Sequence, residues 1–234
     1  MKQFWSFIII VLLASCNSAT ENKTVESSLE ESKIIEEKPK LHVDTLSFVA
    51  YNDDGDYFLL YAKKNKEDFS FINDKNDDRS FLKGDVIEVI WKNDTIYIAG
   101  DGETPELAEW VVSTRKIKDG TVSAFRKHYK KELKYNWSKE FEYSQGYLDQ
   151  LYLVVEYYIA NSQNQLIKEA VESKEQIEYS IEEQIRNNKE YTVIGIATVS
   201  EHKVSTIQWL YYQHGDALEL YEYDLPNDEL IKFE

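Results

Sequence analysis

Carboxylates in apolar settings are the first residues of this 234-residue chain that invite a chemical reading. Glu88 sits in Val86-Ile87-Glu88-Val89-Ile90, and Glu156 in Val154-Val155-Glu156-Tyr157-Tyr158. Apolar neighbours disfavour the charged form of a carboxyl group, so its pKa rises and it becomes a proton donor. Two such acids about 5 Å apart suit a retaining glycosidase, and two roughly 6.5–9.5 Å apart an inverting one. The plainer reading places both on outward strand faces, because a catalytic carboxylate needs a partner and a cleft. Asp74, Asn76, Asp78 and Asp85 repeat part of the spacing of an EF-hand loop. Arg79 stands where that loop needs glycine, however, and Asp85 replaces its bidentate glutamate, so an acidic loop is the better reading.

Metal and nucleophile patterns are missing. The histidines are His42, His128, His202 and His214, with no His-x-x-x-His or His-Glu-x-x-His spacing among them. His202 and His214 flank a strand about 30 Å long, too far apart to share an ion. No Gly-x-Ser-x-Gly occurs, and Ser200-Glu201-His202 are turn neighbours that cannot form a triad. Eight glycines leave little room for a phosphate-binding loop. Neither a cofactor nor a metal is expected, and the chain reads as more suited to binding than to catalysis.

Seventeen tyrosines and five tryptophans supply most of the remaining recognition chemistry. Trp209, Tyr211, Tyr212, Tyr221 and Tyr223 fall on two strands expected to be adjacent, beside Glu219, Glu222 and Asp224. One sheet face must be core, where cross-strand aromatic pairs stabilise the sheet. The other is a candidate ligand or partner surface, since aromatic rings beside carboxylates suit sugars, peptides and basic proteins.

The chain begins with Lys2, an apolar run from Phe4 to Leu13, and then Ala14-Ser15-Cys16. A positive start, a short apolar stretch and small residues before a cleavage point form a secretory signal. The apolar core, about 10 residues long, is too short for a membrane span of about 20. Leu13-Ala14-Ser15-Cys16 resembles the lipobox of bacterial lipoproteins. That resemblance implies cleavage before Cys16, attachment of diacylglycerol to its thiol, and a membrane anchor. Asn17, rather than Asp, after the cysteine implies the outer membrane. Because Cys16 is the chain's single cysteine, no internal disulfide exists and stability must come from packing.

The net charge is −16, and removal of residues 1–15 takes away Lys2 and no acid. So acidic a surface repels phosphate backbones and anionic headgroups, which argues against a nucleic-acid partner. A cationic or neutral envelope protein or glycan is favoured. A lysozyme-like cationic enzyme would fit the charge, although no residue pattern points to one.

The elements follow from this frame. Residues 1–15 read as the signal peptide, and 16–40 as the lipidated cysteine and a flexible tether. The tether is rich in Ser, Glu and Lys and has no aromatic residue. A coil of that length spans on the order of 25–30 Å. Strands are expected at 42–51, 57–62, 69–72, 83–91, 95–99 and 110–117, with turns between them. Residues 41–120 therefore read as a small antiparallel barrel or sandwich, similar in shape to OB or SH3-like barrels. Within 121–145, a short helix leads into a crossing strand. The run 151–159 reads as a strand. Ser173 followed by Gln176 makes a capping-box pattern, and Ile177, Ile181 and Ile185 form a helical stripe ended by Asn187-Asn188. Strands at 191–199, 204–212 and 218–225 complete an α+β part spanning 121–234, a helix packed on an antiparallel sheet. The expected whole is a β-rich α+β protein, an anchored binding or sensing module. Its rivals are a carboxylate-dependent hydrolase of envelope polysaccharide and a purely structural lipoprotein.

Overall fold

Alternating residues of the first five strands close on one another around an apolar interior. A computed structural model describes residues 39–97, 104–200, 203–213 and 219–233. The lipobox, nearly all of the tether, the turn containing Gly100 and Gly102, and His202 and His214 lie outside the described residues.

The strands β1 (His42–Asn52), β2 (Leu59–Lys64), β3 (Glu67–Ile72), β4 (Val86–Tyr97) and β5 (Pro105–Lys118) form a closed barrel in the order β1-β2-β3-β5-β4. β3 and β5 meet in parallel at Ile72 and Trp110, and the other pairs are antiparallel. β1 belongs to both sides of the closure: Ser47–Asn52 pairs with β2 and His42–Ser47 with β4. A bulge between Phe48 and Ala50 gives the strand the bend this requires. Leu46, Phe48, Leu60, Phe71, Ile87 and Val89 fill the interior. The turn expected at Lys92-Asn93-Asp94 is absent. β4 runs through it opposite Ala108–Trp110, so one long strand replaces two. Lys92 and Asp94, two residues apart on one face, pair with each other, which lets polar residues continue the strand.

The second part has a six-stranded sheet in the order β11-β10-β9-β8-β7-β6. Its strands are β6 (Lys134–Trp137), β7 (Gln176–Arg186), β8 (Lys189–Ser200), β9 (Lys203–Gln213), β10 (Glu219–Asp224) and β11 (Glu229–Lys232). β6 joins in parallel and the rest form an antiparallel meander. Helices α1 (Thr121–Tyr129), α2 (Gln145–Asn161) and α3 (Gln165–Glu172) supply the other half of its core. The expected short helix and crossing strand within 121–145 are α1 and β6.

Two expectations are exchanged. The run 151–159 is helix α2, not a strand. Its buried Leu148, Leu151, Val155, Tyr158 and Ile159 follow the three-and-four spacing of one helix face, and the Ser144 side chain caps its start by accepting from the Tyr147 N–H. The stripe Ile177, Ile181, Ile185 is strand β7, not a helix. A spacing of four is also an even spacing, so these residues share one strand face, with Ile177, Tyr179 and Ile181 in the core and Ile185 at its exposed end. Ser173 closes α3 instead of opening a helix, its N–H bonding to the Glu169 carbonyl. Asn187 and Asn188, with φ of 52° and 61°, are the two-residue hairpin turn between β7 and β8, a conformation that asparagine tolerates.

Residues 39–234 form one compact unit, and Asp85 fastens the barrel to the helical part. Its side chain is fully buried. It accepts from the Gly120 N–H at 2.8 Å and the Leu82 N–H at 2.9 Å, and it pairs with Lys116 at 2.7 Å. Gly120 is the N-cap of α1 and has no side chain to cap with, so Asp85 supplies an acceptor there from another element. The two backbones meet so closely that a Cβ on Gly120 would lie 2.3 Å from the carbonyl carbon of Gly84.

Candidate functional site

The helices cover one face of the second sheet and leave the other to a layer of aromatic side chains. Strand alternation decides which rings belong to which face. Tyr212 points to the helices, 2 % exposed, and belongs to the main core. It therefore drops out of the five aromatic residues expected to form a surface. Tyr211 is on the outer face but 5 % exposed, packed with Tyr191 and Val193. Trp209, Tyr221 and Tyr223 lie on the same face and are half-buried, and together with Leu230 they pack around that small cluster.

The outer layer is held in place by polar contacts at its rim. Tyr211 donates to Gln184 at 2.6 Å, Tyr221 to Glu219 at 2.6 Å, and Tyr223 to Asp228 at 2.9 Å. Arg186 reaches across the rings of Tyr211 and Tyr223 to Asp228, 2.7 Å away. Its guanidinium, followed by the Tyr223 hydroxyl, holds the Asp228 carboxyl below the usual range. The hydrogen bond to Glu219, reinforced by burial, pushes the Tyr221 hydroxyl up to about 12. The Tyr221 and Tyr223 hydroxyls stay protonated at neutral pH, and with the bond from Tyr211 to Gln184 they fix the rings as a preorganised surface.

Trp209 owes its position to a glycine. A Cβ on Gly195, directly opposite on β8, would come within 2.6 Å of the Trp209 ring and 2.7 Å of the Ser180 hydroxyl. Gly195→Ala is expected to tilt the indole off the sheet and to cost about 1–3 kcal/mol. A shift in tryptophan emission that disappears in a Trp209→Phe background would show this. Unchanged emission would mean that the strand shifts instead of the ring.

A groove of about 400 Å³ opens beside these rings, where β10 ends and β9 continues. The pairing of β9 with β10 stops at Leu210 and Glu222, although β9 runs on to Lys203. Residues from both sheet faces therefore line the opening: Trp209 and Tyr223 from the outer face, and Ile207, Glu222 and Ile231 from the inner, with Asp224 and Leu225 at the turn. Glu222 accepts from Tyr158 at 2.8 Å, and Asp224 from Asn227 at 2.7 Å. The Gln208 side-chain amide spans the gap, donating to the carbonyls of Trp209 and Tyr223. Among the described residues, no lysine or arginine lines the groove. A site of this kind offers flat rings and negative charge to its ligand.

No family model and no curated protein sequence matches the chain. Among solved structures, it is similar to an aspartyl tRNA synthetase from Entamoeba histolytica, with 10% identity and a TM-score of 0.26 over 70% of this chain and 48% of the other. It is similar also to a putative aspartyl-tRNA synthetase from Leishmania major Friedlin, at 8% identity and a TM-score of 0.25 over 77% and 50%. The chain spans about half the length of these structures. Likeness at that level carries no inference about its activity.

The remaining chemical candidates are not brought together. Glu88 is on β4, paired with Arg115 on β5 at 2.9 Å. Glu156 is on α2, and both its oxygens accept from Arg126. It lines a cleft of about 590 Å³ with Asp149, Glu132, Lys130 and Lys131, but Glu88 does not. The EF-hand-like residues diverge. Asp74 accepts from the Phe58 N–H, Asn76 donates to Thr114, Asp78 accepts from the Ser80 N–H, and Asp85 is the buried fastener. His42 stacks on Trp91 with ring centroids 4.3 Å apart, and His128 lies 3.6 Å from Glu172. Among the described residues, no three metal-ligating side chains converge.

Sequence reasoning missed the groove itself, because a strand outrunning its neighbour leaves no local pattern. Pro226 and Asn227 after Asp224 marked where that neighbour turns away.

Proposed function

We propose that this chain is a lipid-anchored protein of the bacterial cell envelope, held at the outer membrane through Cys16, whose globular part is a non-catalytic binding or sensing module. The anchor rests on the resemblance of Leu13-Ala14-Ser15-Cys16 to a lipobox. Among the described residues, no helix is long and apolar enough to cross a membrane. The module divides near residue 120 into a barrel and an α+β part. The barrel's strand order, with its single parallel contact between β3 and β5, supports an OB-type barrel. The net charge of −16 disfavours nucleic acid as its ligand.

The observation that carries the binding role is the acidic groove beside the outer-face aromatic layer, whose rim rings are half-buried. Trp209 and Tyr223 are half-buried, rigidly supported from below, and part of the groove wall. Preorganised aromatic anchors concentrate binding energy at interfaces. A cationic or neutral partner suits the lining.

Crosslinking capture from the native envelope, followed by fractionation, tests both halves. The parent protein is expected in the membrane fraction with a reproducible partner. Cys16→Ala should leave the membrane fraction. A Trp209→Ala/Tyr223→Ala pair should stay there, keep its circular dichroism spectrum, and lose the partner. A Cys16→Ala protein that still matures and partitions with membranes overturns the anchor. Partner capture that survives the aromatic pair overturns the binding surface.

A further inference from the structure

We infer that the groove binds an extended basic peptide, which adds as a strand to the free edge of β9 between Val204 and Gln208. This rests on the binding role given above and names the class of partner. Among the described residues, this stretch of β9 is paired with β8 on one side only, because β10 turns away after Asp224. A strand edge without a neighbour presents its backbone N–H and C=O groups to any chain able to pair with them. The sheet's two terminal strands, β6 and β11, are only four residues long and carry Lys134 and Lys232, features that discourage pairing. The open stretch of β9 extends its own strand and carries no charge from Val204 to Gln208, and Val204 is 64 % exposed. Its bulge at Ile207 is already tied down, since the carbonyl there accepts from Asn164 at the start of α3.

The side chains around this edge define what would occupy it. Glu222 and Asp224 face it from β10 with no cation among the lining residues, so lysine or arginine on the added strand meets negative charge. Trp209 and Tyr223 line the same space and add flat apolar surface to it; the Tyr223 ring already carries the Arg186 guanidinium, so the cationic side chains of the added strand are drawn chiefly by the acids. An incoming strand alternates its side chains, one set toward the rings on the outer face and the other toward Glu222 and Asp224 on the inner face.

The test uses the full-length protein and a ten-residue peptide of alternating lysine and valine, with a glutamate–valine peptide as charge control. A third peptide keeps the lysines but is N-methylated at alternate residues, which removes backbone donors without altering charge. Strand addition requires the lysine peptide to bind, the glutamate peptide to bind at least 10-fold more weakly, and N-methylation to weaken binding at least 10-fold. Amide hydrogen exchange at 204–208 must slow on binding. A Glu222→Gln/Asp224→Asn pair should weaken the lysine peptide several-fold and flatten its salt dependence. Equal binding of the N-methylated peptide, unchanged exchange at 204–208, or no binding of the lysine peptide overturns the inference. The broader binding role stands or falls separately, on whether Trp209→Ala/Tyr223→Ala loses the envelope partner.

Discussion

An Asp85→Ala variant is expected to lose about 3–5 kcal/mol of folding stability, with a fall in melting temperature on the order of 10 °C. The size of the effect comes from what is left behind. Lys116 loses its nearest partner, at 2.7 Å, and keeps Asp119 at 3.8 Å and the Ser123 hydroxyl, while the Leu82 and Gly120 N–H groups lose the fully buried carboxylate that accepts from them. Both ends of the fold feel the loss, since Leu82 precedes β4 and Gly120 begins α1. Asp85→Asn should fall in between, keeping one acceptor but losing the charge that holds Lys116. Burial alone would raise the Asp85 pKa. The hydrogen bonds from Gly120 and Leu82, with Lys116 and Ser123, outweigh burial and hold it below the ordinary 3.8. With the folded value lower than the unfolded one, the stabilisation is complete above pH 3.8 and is lost as pH falls through the folded value. Thermal melts of the parent between pH 6 and pH 2 should therefore show an acid-side loss that is much reduced in Asp85→Asn. A melting temperature in Asp85→Ala within about 2 °C of the parent would mean that the joint is held by something else.

Asp85 also marks a boundary of what the sequence makes legible. Its position eleven residues after Asp74 invited comparison with a metal loop, and nothing in the local pattern pointed to Gly120, 35 residues away. Local patterns served well where each strand carries its own turn. β1, β2, β3 and the meander from β8 onward match the alternating runs bounded by Asn, Asp and Gly. The exchange of α2 and β7 has a physical cause. Leu151–Ile159 is apolar at nearly every position, so its composition permits a buried strand as readily as a helix, and only the 17-residue length of α2 distinguishes them. Ile177, Ile181 and Ile185 fit both periods at once. Polar residues misled in the other direction at Lys92-Asn93-Asp94, where the strand leaves the barrel core as one arm of a long hairpin and needs no apolar side. At the candidate surface, the sequence placed five aromatic residues on two adjacent strands. Parity then divided them, and Tyr212 went to the core. The free edge of β9 depends on where β10 stops, a property of two strands that neither one encodes alone.

Arg126→Ala is expected to destabilise the protein by about 3 kcal/mol, whereas replacing Arg126 and Glu156 together by leucine should cost far less or nothing. Glu156 has a side chain only 4 % exposed, on the buried side of α2, and the Arg126 guanidinium on α1 meets both its oxygens. The Arg126 side chain is 43 % exposed, so its loss removes a charge that water could otherwise serve, while Glu156 is left without its partner. The asymmetry predicts that Arg126→Ala is worse than Glu156→Leu, and that the double variant recovers much of what either single change loses. A double-mutant cycle by chemical denaturation, with Arg126→Leu and Glu156→Leu as its single variants, gives the coupling between them directly. The same pair bears on catalysis. A carboxylate held at both oxygens by a guanidinium is fixed in place with its charge balanced, which makes it a poorer base or nucleophile although each oxygen keeps a lone pair. If Glu156 nevertheless served a hydrolytic reaction, Arg126→Ala would free it and change the pH dependence of that reaction. If the role is structural, the two changes move only the denaturation midpoint and leave partner capture from the envelope intact. Equal stability losses in Arg126→Ala and in the double leucine variant would remove the basis for treating the pair as a structural clasp between α1 and α2.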